Sequence, residues 1–255
     1  MPLHETESLV LRSYNLAEAD RIVVFFTRDH GIVRGVAKGA KRLNSRFGST
    51  LELFSTVRLS YFQKEDRELV SIQQVELARS CFSAASDPEF LHTFSYIADL
   101  LMVFVPPHDP SETIYRMTKA CLDSASESTG SLPAIRLYFE LWLLRLGGYL
   151  PDWSRCDECR RMLTNEPASL RADFHLVCEK CRGTRRLEPL PASRLEVFHS
   201  VQKVSPQTFL ELSTTRTEVV VELSAILRRI IMQVVGRDLM NERTLAVNLQ
   251  QGNAI

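Results

Sequence analysis

Three closely spaced segments decide the fold of this chain: Ser8–Tyr14 (SLVLRSY), Arg21–Thr27 (RIVVFFT) and Gly31–Lys38 (GIVRGVAK). Each is rich in Val, Leu, Ile and Phe and alternates in part between apolar and polar positions, the pattern of a strand with one buried face. Turn residues part them: Asn15 after the first, Asp29-His30-Gly31 between the second and third. Two further segments, Leu51–Phe62 and Leu69–Leu77, are set off by Asn44–Gly48 and by Lys64–Asp66. Five short strands within about 75 residues, with no long helix between them, predict a small β-barrel. A five-stranded OB-type barrel leads, with an SH3-like barrel as the alternative, and Phe25 and Phe26 are assigned to its core.

Beyond residue 80 the apolar period changes from 2 to 3.6. Asp87-Pro88 opens a helix that runs to about Val105 and stops at Pro106-Pro107. Asp109-Pro110 opens a second, with Ile114, Met117, Cys121 and Leu122 on one face. A third begins at Leu132 or Pro133 and ends after Leu146 at Gly147-Gly148; it is apolar nearly all round, so it belongs at the centre of a helical domain. Ala192–Val204 reads as a helix. Thr215-Arg-Thr-Glu218 reads as a capping box for the last one, whose stripe of Leu223, Ile226, Leu227, Ile230, Ile231 and Val234 reaches Gly236. The tail from Asn241 has neither caps nor period.

Between the third and fourth helical segments stand Cys156-Asp-Glu-Cys159 and, eighteen residues on, Cys178-Glu-Lys-Cys181. A tight turn within each pair aims both sulfurs at one ion, and two such pairs complete a tetrahedral four-sulfur site. Thiolate is a soft ligand and a closed site leaves no position for chemistry, so the expectation is one structural zinc ion. A redox CxxC pair is the rival reading. His175 is an alternative ligand, against its reading as a hairpin histidine. The intervening stretch has room for one short hairpin, and Arg155, Arg160, Arg161, Lys180 and Arg182 are placed to offset the charge of the thiolates. Cys81 and Cys121 stand apart and read as buried thiols.

Apolar residues make up 45% of the chain and charged ones 24%, enough for a core that does not depend on the metal. There is no basic-then-apolar leader. The longest apolar stretch, Phe90–Val105, is short for a bilayer span and is interrupted by His92 and Asp99. The default location is therefore the cytoplasm, with reduced thiols. Net charge is zero but unevenly spread: residues 21–58 carry eight Lys/Arg against two Asp/Glu, residues 154–186 eight against five, and the rest 15 against 24. The densest basic stretch is the loop after the third strand, with Lys38, Lys41, Arg42 and Arg46 and no carboxylate among them. Cations that neutralise phosphates, interleaved with aromatic side chains that stack on bases, suit single-strand binding. Phe47, between Arg46 and Gly48, is the stacking candidate; Tyr14, Phe54, Tyr61 and Phe62 lie near in sequence. A solvated loop is the alternative. No catalytic residue emerges: P-loop, G-x-S-x-G and H-E-x-x-H patterns are missing, and the six histidines are scattered.

The order of parts resembles a known family. KGAKRLNSRFG (residues 38–48), RLYFELWLLRLGGYLP (136–151) and the embedded CxxC–CxxC are similar to the bacterial RecO family of recombinational DNA-repair proteins, nearly end to end. The resemblance implies a recombination mediator, not an enzyme. Such a protein binds single- and double-stranded DNA, promotes strand annealing, interacts with single-stranded-DNA-binding protein (SSB) and joins RecR to load RecA at gaps. It assigns DNA binding to Lys38, Lys41, Arg42 and Arg46. Some members lack the cysteines, which suits a structural metal. One departure is Leu43, where the family pattern has proline, and it implies a less rigid loop. An acidic SSB tail with an apolar end asks for a cation beside an apolar pocket, and Arg136 next to Leu137 and Phe139 is the candidate, against a helix-surface pairing of Arg136 with Glu140.

The expected organisation is α+β and multidomain: an OB-fold-like barrel over residues 1–80, then an all-helical domain over 81–255 with a four-cysteine zinc module inserted at 153–186. Three other functions stay open: a nucleic-acid-processing enzyme, an OB-fold RNA-binding factor, and a protein adaptor whose basic zones meet acidic partners.

Overall fold

A computed structural model describes residues 2–16, 18–64, 68–127, 132–164 and 166–239. The expected tail from Asn241 lies outside them. Five strands form a closed barrel in the order β1-β2-β3-β5-β4, from β1 (Leu3–Asn15), β2 (Arg21–Thr27), β3 (Gly31–Ala37), β4 (Thr56–Phe62) and β5 (Leu69–Arg79). The long β1 closes it: Leu3 to Leu9 pair with β4, and Ser8 to Asn15 pair with β2, the register shifting between Val10 and Arg12. β3 and β5 meet in parallel, and every other pairing is antiparallel. This is the OB-like barrel expected. Gly35 sits at the parallel seam because a Cβ there would lie 2.6 Å from Ile72 Cγ1.

Val10, Val23, Phe25, Val33, Tyr61 and Ile72 are among the side chains that fill the interior. Phe26 was assigned to that core, but alternation turns it to the outer face. It is buried there beneath a helix, its ring 5.4 Å from that of Tyr115. The segment Leu51–Phe62 was expected to be one strand. Gly48–Leu51 is a 3-10 turn instead, and pairing begins at Thr56.

Strands give way to helices at residue 80, as expected, with α1 (Phe82–Ala85), α2 (Pro88–Phe104) and α3 (Glu112–Glu127). Asp87 caps α2 by accepting from the Glu89 N–H. Packing divides the chain further along, into compact units Met1–Thr129 and Gly130–Ile255. The first unit holds α2 and α3 on the barrel. Arg12 meets Asp99 at 2.5 Å, Lys119 and Tyr115 both donate to Glu7 Oε1 at 2.7 and 3.0 Å, and Phe54 packs on Phe90 and Phe94.

In the second unit α4 (Leu132–Leu146) is central, as its all-round apolar sequence requires, and packs against α7 (Pro206–Ser213) and α8 (Thr217–Val235). The cysteine-bearing segment holds β6 (Ala168–Leu170), β7 (Leu176–Cys178) and α5 (Glu179–Arg182), and β8 (Glu188–Leu190), just beyond the expected limit at residue 186, completes one sheet in the order β7-β6-β8. The expected helix Ala192–Val204 ends sooner, as α6 (Ala192–Val201). A separate α7 follows, started by Ser205 accepting from the Thr208 N–H with Pro206 in the first turn. The capping box does not form. The chain turns tightly out of α7, with the Arg216 N–H on the Ser213 carbonyl, so α8 starts after Arg216 without a side-chain cap.

Candidate nucleic-acid interface and metal centre

The loop from Lys38 to Gly48 leaves the end of β3 and is held by backbone groups. Asp20 accepts from the Gly39 N–H at 2.8 Å, the Ala19 carbonyl accepts from the Lys41 N–H at 3.0 Å, and turns run from Gly39 to Arg42 and from Arg42 to Ser45. These bonds give the loop a definite shape without the proline of the family pattern; Leu43 at its tip is 101% exposed. Lys38, Lys41, Arg42 and Arg46 are all exposed, on one loop at one end of β3. Arg46 is partly committed: its guanidinium donates to the Ile72 carbonyl at 3.2 Å and lies 4.9 Å above the Phe47 ring.

Phe47 does not occupy the position expected of a stacking platform. It is 1% exposed and packs in the barrel interior with Leu51, Val57 and Leu59. Burying its ring anchors the loop, which outweighs leaving an apolar face in water. Phe54 and Tyr61 are buried too. Of the aromatic residues read near the loop, Tyr14 and Phe62 keep exposed surface. Arg34 and Lys64 are exposed cations of the same unit that sequence reasoning passed over. Alternation along β3, which sets Arg34 and Lys38 on one face, is the signal that finds the first.

The four cysteines come together. Their sulfur atoms all lie within 4.8 Å of one another, and Cys159 Sγ is 3.8 Å from Cys178 Sγ. Metal–sulfur bonds of about 2.3 Å in a tetrahedron require sulfurs about 3.8 Å apart, so the set fits one ion. Two backbone N–H groups point at the sulfurs, Cys178 N to Cys156 Sγ at 3.3 Å and Cys181 N to Cys178 Sγ at 3.5 Å. Burial pushes the Cys156 thiol up, but backbone donors from Cys159, Cys178 and Glu158 prevail and bring it down to about 6. Arg160, immediately after the first pair, has a left-handed backbone (φ 60) that completes its turn.

His175 is not part of the cluster; its ring faces the Asp173 carbonyl in the β6–β7 turn. The basic neighbours meet carboxylates more than sulfurs: Arg160 pairs with Asp157, Arg161 with Glu166 and Arg182 with Glu179, while Arg185 ties the second pair to Glu158 of the first at 2.7 Å. Cys81 and Cys121 are buried as expected, and burial raises both thiols.

Arg136 is half-buried on α4, and its Nε is buried without a hydrogen-bond partner. Leu137 and Phe139, expected to line an apolar pocket beside it, are fully buried in the helical core and offer no surface. Glu140, on the same helix, is also buried and accepts from Ser224 Oγ at 2.6 Å.

A five-stranded OB-like barrel with a basic loop, followed by helices and a cluster of four cysteines that could hold a metal ion, defines the class: an OB-barrel protein with an appended helical unit that carries a four-cysteine cluster. Two family models match this chain, Recombination protein O N terminal over residues 1–81 and Recombination protein O C terminal over residues 85–243. DNA repair protein RecO of Koribacter versatilis is 33% identical over 187 residues, which cover 72% of this chain and 74% of that protein. The RecO proteins of Rhodopirellula baltica (32% over 183 residues, 70% and 67% covered) and Rubrobacter xylanophilus (31% over 192 residues, 75% and 76% covered) are similarly related. The chain belongs to the RecO family of DNA repair and recombination proteins. Among the described residues, no helix is long and apolar enough to cross a membrane.

Proposed function

We propose that this chain is a cytoplasmic recombination mediator that binds single- and double-stranded DNA and promotes strand annealing. With RecR it helps load RecA onto gaps coated with SSB. The carrying observation is the basic loop: four exposed cations pinned to a barrel that a RecO family model matches from residue 1 to 81. Its role is positioning. Cations at the loop hold phosphates and release counterions, while the rest of the chain recruits partners. The four cysteines bind one structural zinc ion, since four thiolates close the coordination sphere. Arg136, half-buried on α4, is the cation offered to the acidic SSB tail, while Leu137 and Phe139 beside it are buried.

Charge reversal of Lys38, Lys41 and Arg42 tests the loop. Each lost phosphate contact removes about 0.9 from the slope of log K against log salt, so the triple variant should bind weakly with a slope shallower by roughly 2–3. An unchanged slope removes the loop from the DNA interface.

A further inference from the structure

The four clustered cysteines differ in how far they reach solvent. Cys156 and Cys178 are buried, Cys181 is half-buried and Cys159 is exposed, so the cluster has one open side with Cys159 on it. The backbone N–H groups of Cys178 and Cys181 point at the buried sulfurs, those of Cys156 and Cys178. A hydrogen bond draws charge from a thiolate and dulls it as a nucleophile. Cys159 is therefore the sulfur that a small electrophile meets first, and Cys178 Sγ stands 3.8 Å from it.

The chain between the two cysteine pairs folds into β6 and β7, strands of three residues each, at the short end of what proteins use. Strands this short keep their shape only when their ends are fixed. Cys178 is the last residue of β7, and the Leu176 carbonyl at its start accepts from the Asp157 N–H at 2.8 Å. The sheet in turn grips the helices. Trp153 Nε1 donates to the Phe174 carbonyl in the β6–β7 turn at 2.8 Å, and the indole, 1% exposed, lies 4.9 Å from the Phe198 ring of α6. Arg229 of α8 sits over the Phe174 ring at 5.4 Å and donates to both carboxylate oxygens of Glu188 on β8, at 3.0 and 2.8 Å. The binding energy of a metal at such a site is folding energy for the segment it closes.

We propose that the cluster is a peroxide-sensitive clamp on the helical unit, opened by a disulfide between Cys159 and Cys178. This inference rests on the reading of the four cysteines as a zinc site. The Cys159 thiolate attacks one oxygen of hydrogen peroxide; the O–O bond breaks, hydroxide leaves and a sulfenic acid forms. Cys178 Sγ attacks that sulfur, the S–O bond breaks and a second hydroxide leaves. Two thiolates have then given two electrons to the peroxide, and both sulfurs are lost to the ligand set. Cys156 and Cys181 alone do not close a coordination sphere, so the ion is released. β7 loses its anchor at Cys178, and the hold on Trp153, Phe174 and Glu188 slackens. A thiol reductant supplied with zinc reverses the change.

The chain has two tryptophans, so Trp142→Phe leaves Trp153 as the reporter. Zinc-loaded full-length protein is titrated with hydrogen peroxide. A chromogenic chelator counts released zinc, tryptophan emission follows the clamp, and peptide mapping without reductant finds the oxidised cysteines. The unaltered chain is run in parallel for zinc and mapping. Peroxide should release about one zinc per chain, in step with a Cys159–Cys178 bond and a shift of Trp153 emission to longer wavelength. Cys81 and Cys121, which are buried, should stay reduced throughout. Dithiothreitol with zinc should restore both metal and emission. Three results overturn the clamp while the zinc reading stands: zinc held until Cys81 and Cys121 are oxidised too, zinc lost without a shift in emission, or a first disulfide that leaves out Cys159. Protein that holds no zinc before peroxide is added overturns both.

Discussion

Phe47 and Arg46 are neighbours in sequence and opposites in placement. The ring lies inside the barrel and the guanidinium lies over it, bonded to the Ile72 carbonyl. Phe47→Ala should therefore act first on stability, at about 3–5 kcal/mol for a buried ring, and lower the DNA affinity of the folded protein only as far as the loop it anchors loosens. Phe47→Leu, which keeps an apolar anchor, should leave that affinity nearly unchanged. Chemical denaturation and DNA titration together check it; a stable variant that no longer binds would return Phe47 to the interface. The sequence shows residue types and spacing here but not direction: Phe47, Phe54 and Tyr61 look like platforms until the strand register assigns each a face. The cysteines carry no such ambiguity, because ligand spacing alone sets their geometry. Native protein should hold about one zinc per chain, released as Cys156, Cys159, Cys178 and Cys181 are titrated with a mercurial. Cys81 and Cys121, buried with raised pKa, should stay unreacted until unfolding. Metal analysis that finds no zinc, with the four thiols freely reactive, refutes the site.

At the scale of elements, the barrel and its helices are joined by polar contacts that no local pattern announces. All five strands are legible from period-2 alternation, and α2 and α4 from their caps and apolar runs. Ser205-Pro206, which starts α7, is a readable stop and start that a continuous helical reading of Ala192–Val204 runs up to without using. The pairing of α3 with β1 is not legible, because Glu7 lies over a hundred residues from Tyr115 and Lys119. Burial raises the Glu7 carboxyl, but hydrogen bonds from Lys119 and Tyr115 and the nearby positive charges win, and its pKa falls below 4.5. A group whose folded pKa is lowered stabilises the fold above its unfolded pKa, and that stability is lost as pH falls through the folded value. Wild-type and Glu7→Gln proteins should thus differ in urea midpoint at pH 7 and converge as the pH drops below about 4. A gap that persists unchanged into acid would show that the contact is not electrostatic.

Over the whole molecule, the family models divide near residue 81 and the packing divides at residue 129. The two are compatible if α2 and α3 are helical cover for a barrel that is incomplete without them. Arg12–Asp99, Lys119–Glu7 and the Phe26–Tyr115 and Phe54–Phe94 contacts give that cover its substance. A fragment of residues 1–129 should unfold cooperatively, whereas residues 1–81, with Phe26 and Phe54 uncovered, should be poorly folded; equal stability would make the two helices dispensable. The zero net charge conceals basic zones at residues 21–58 and 154–186 on a remainder that is acidic, the distribution that the proposed DNA binding requires of a neutral protein. The most direct measurement of that account is the annealing of complementary strands coated with SSB. Wild-type protein should accelerate annealing, and the Lys38, Lys41 and Arg42 charge-reversed protein should not. Annealing no faster than with SSB alone, or equally fast with both proteins, would contradict a mediator that works through this loop.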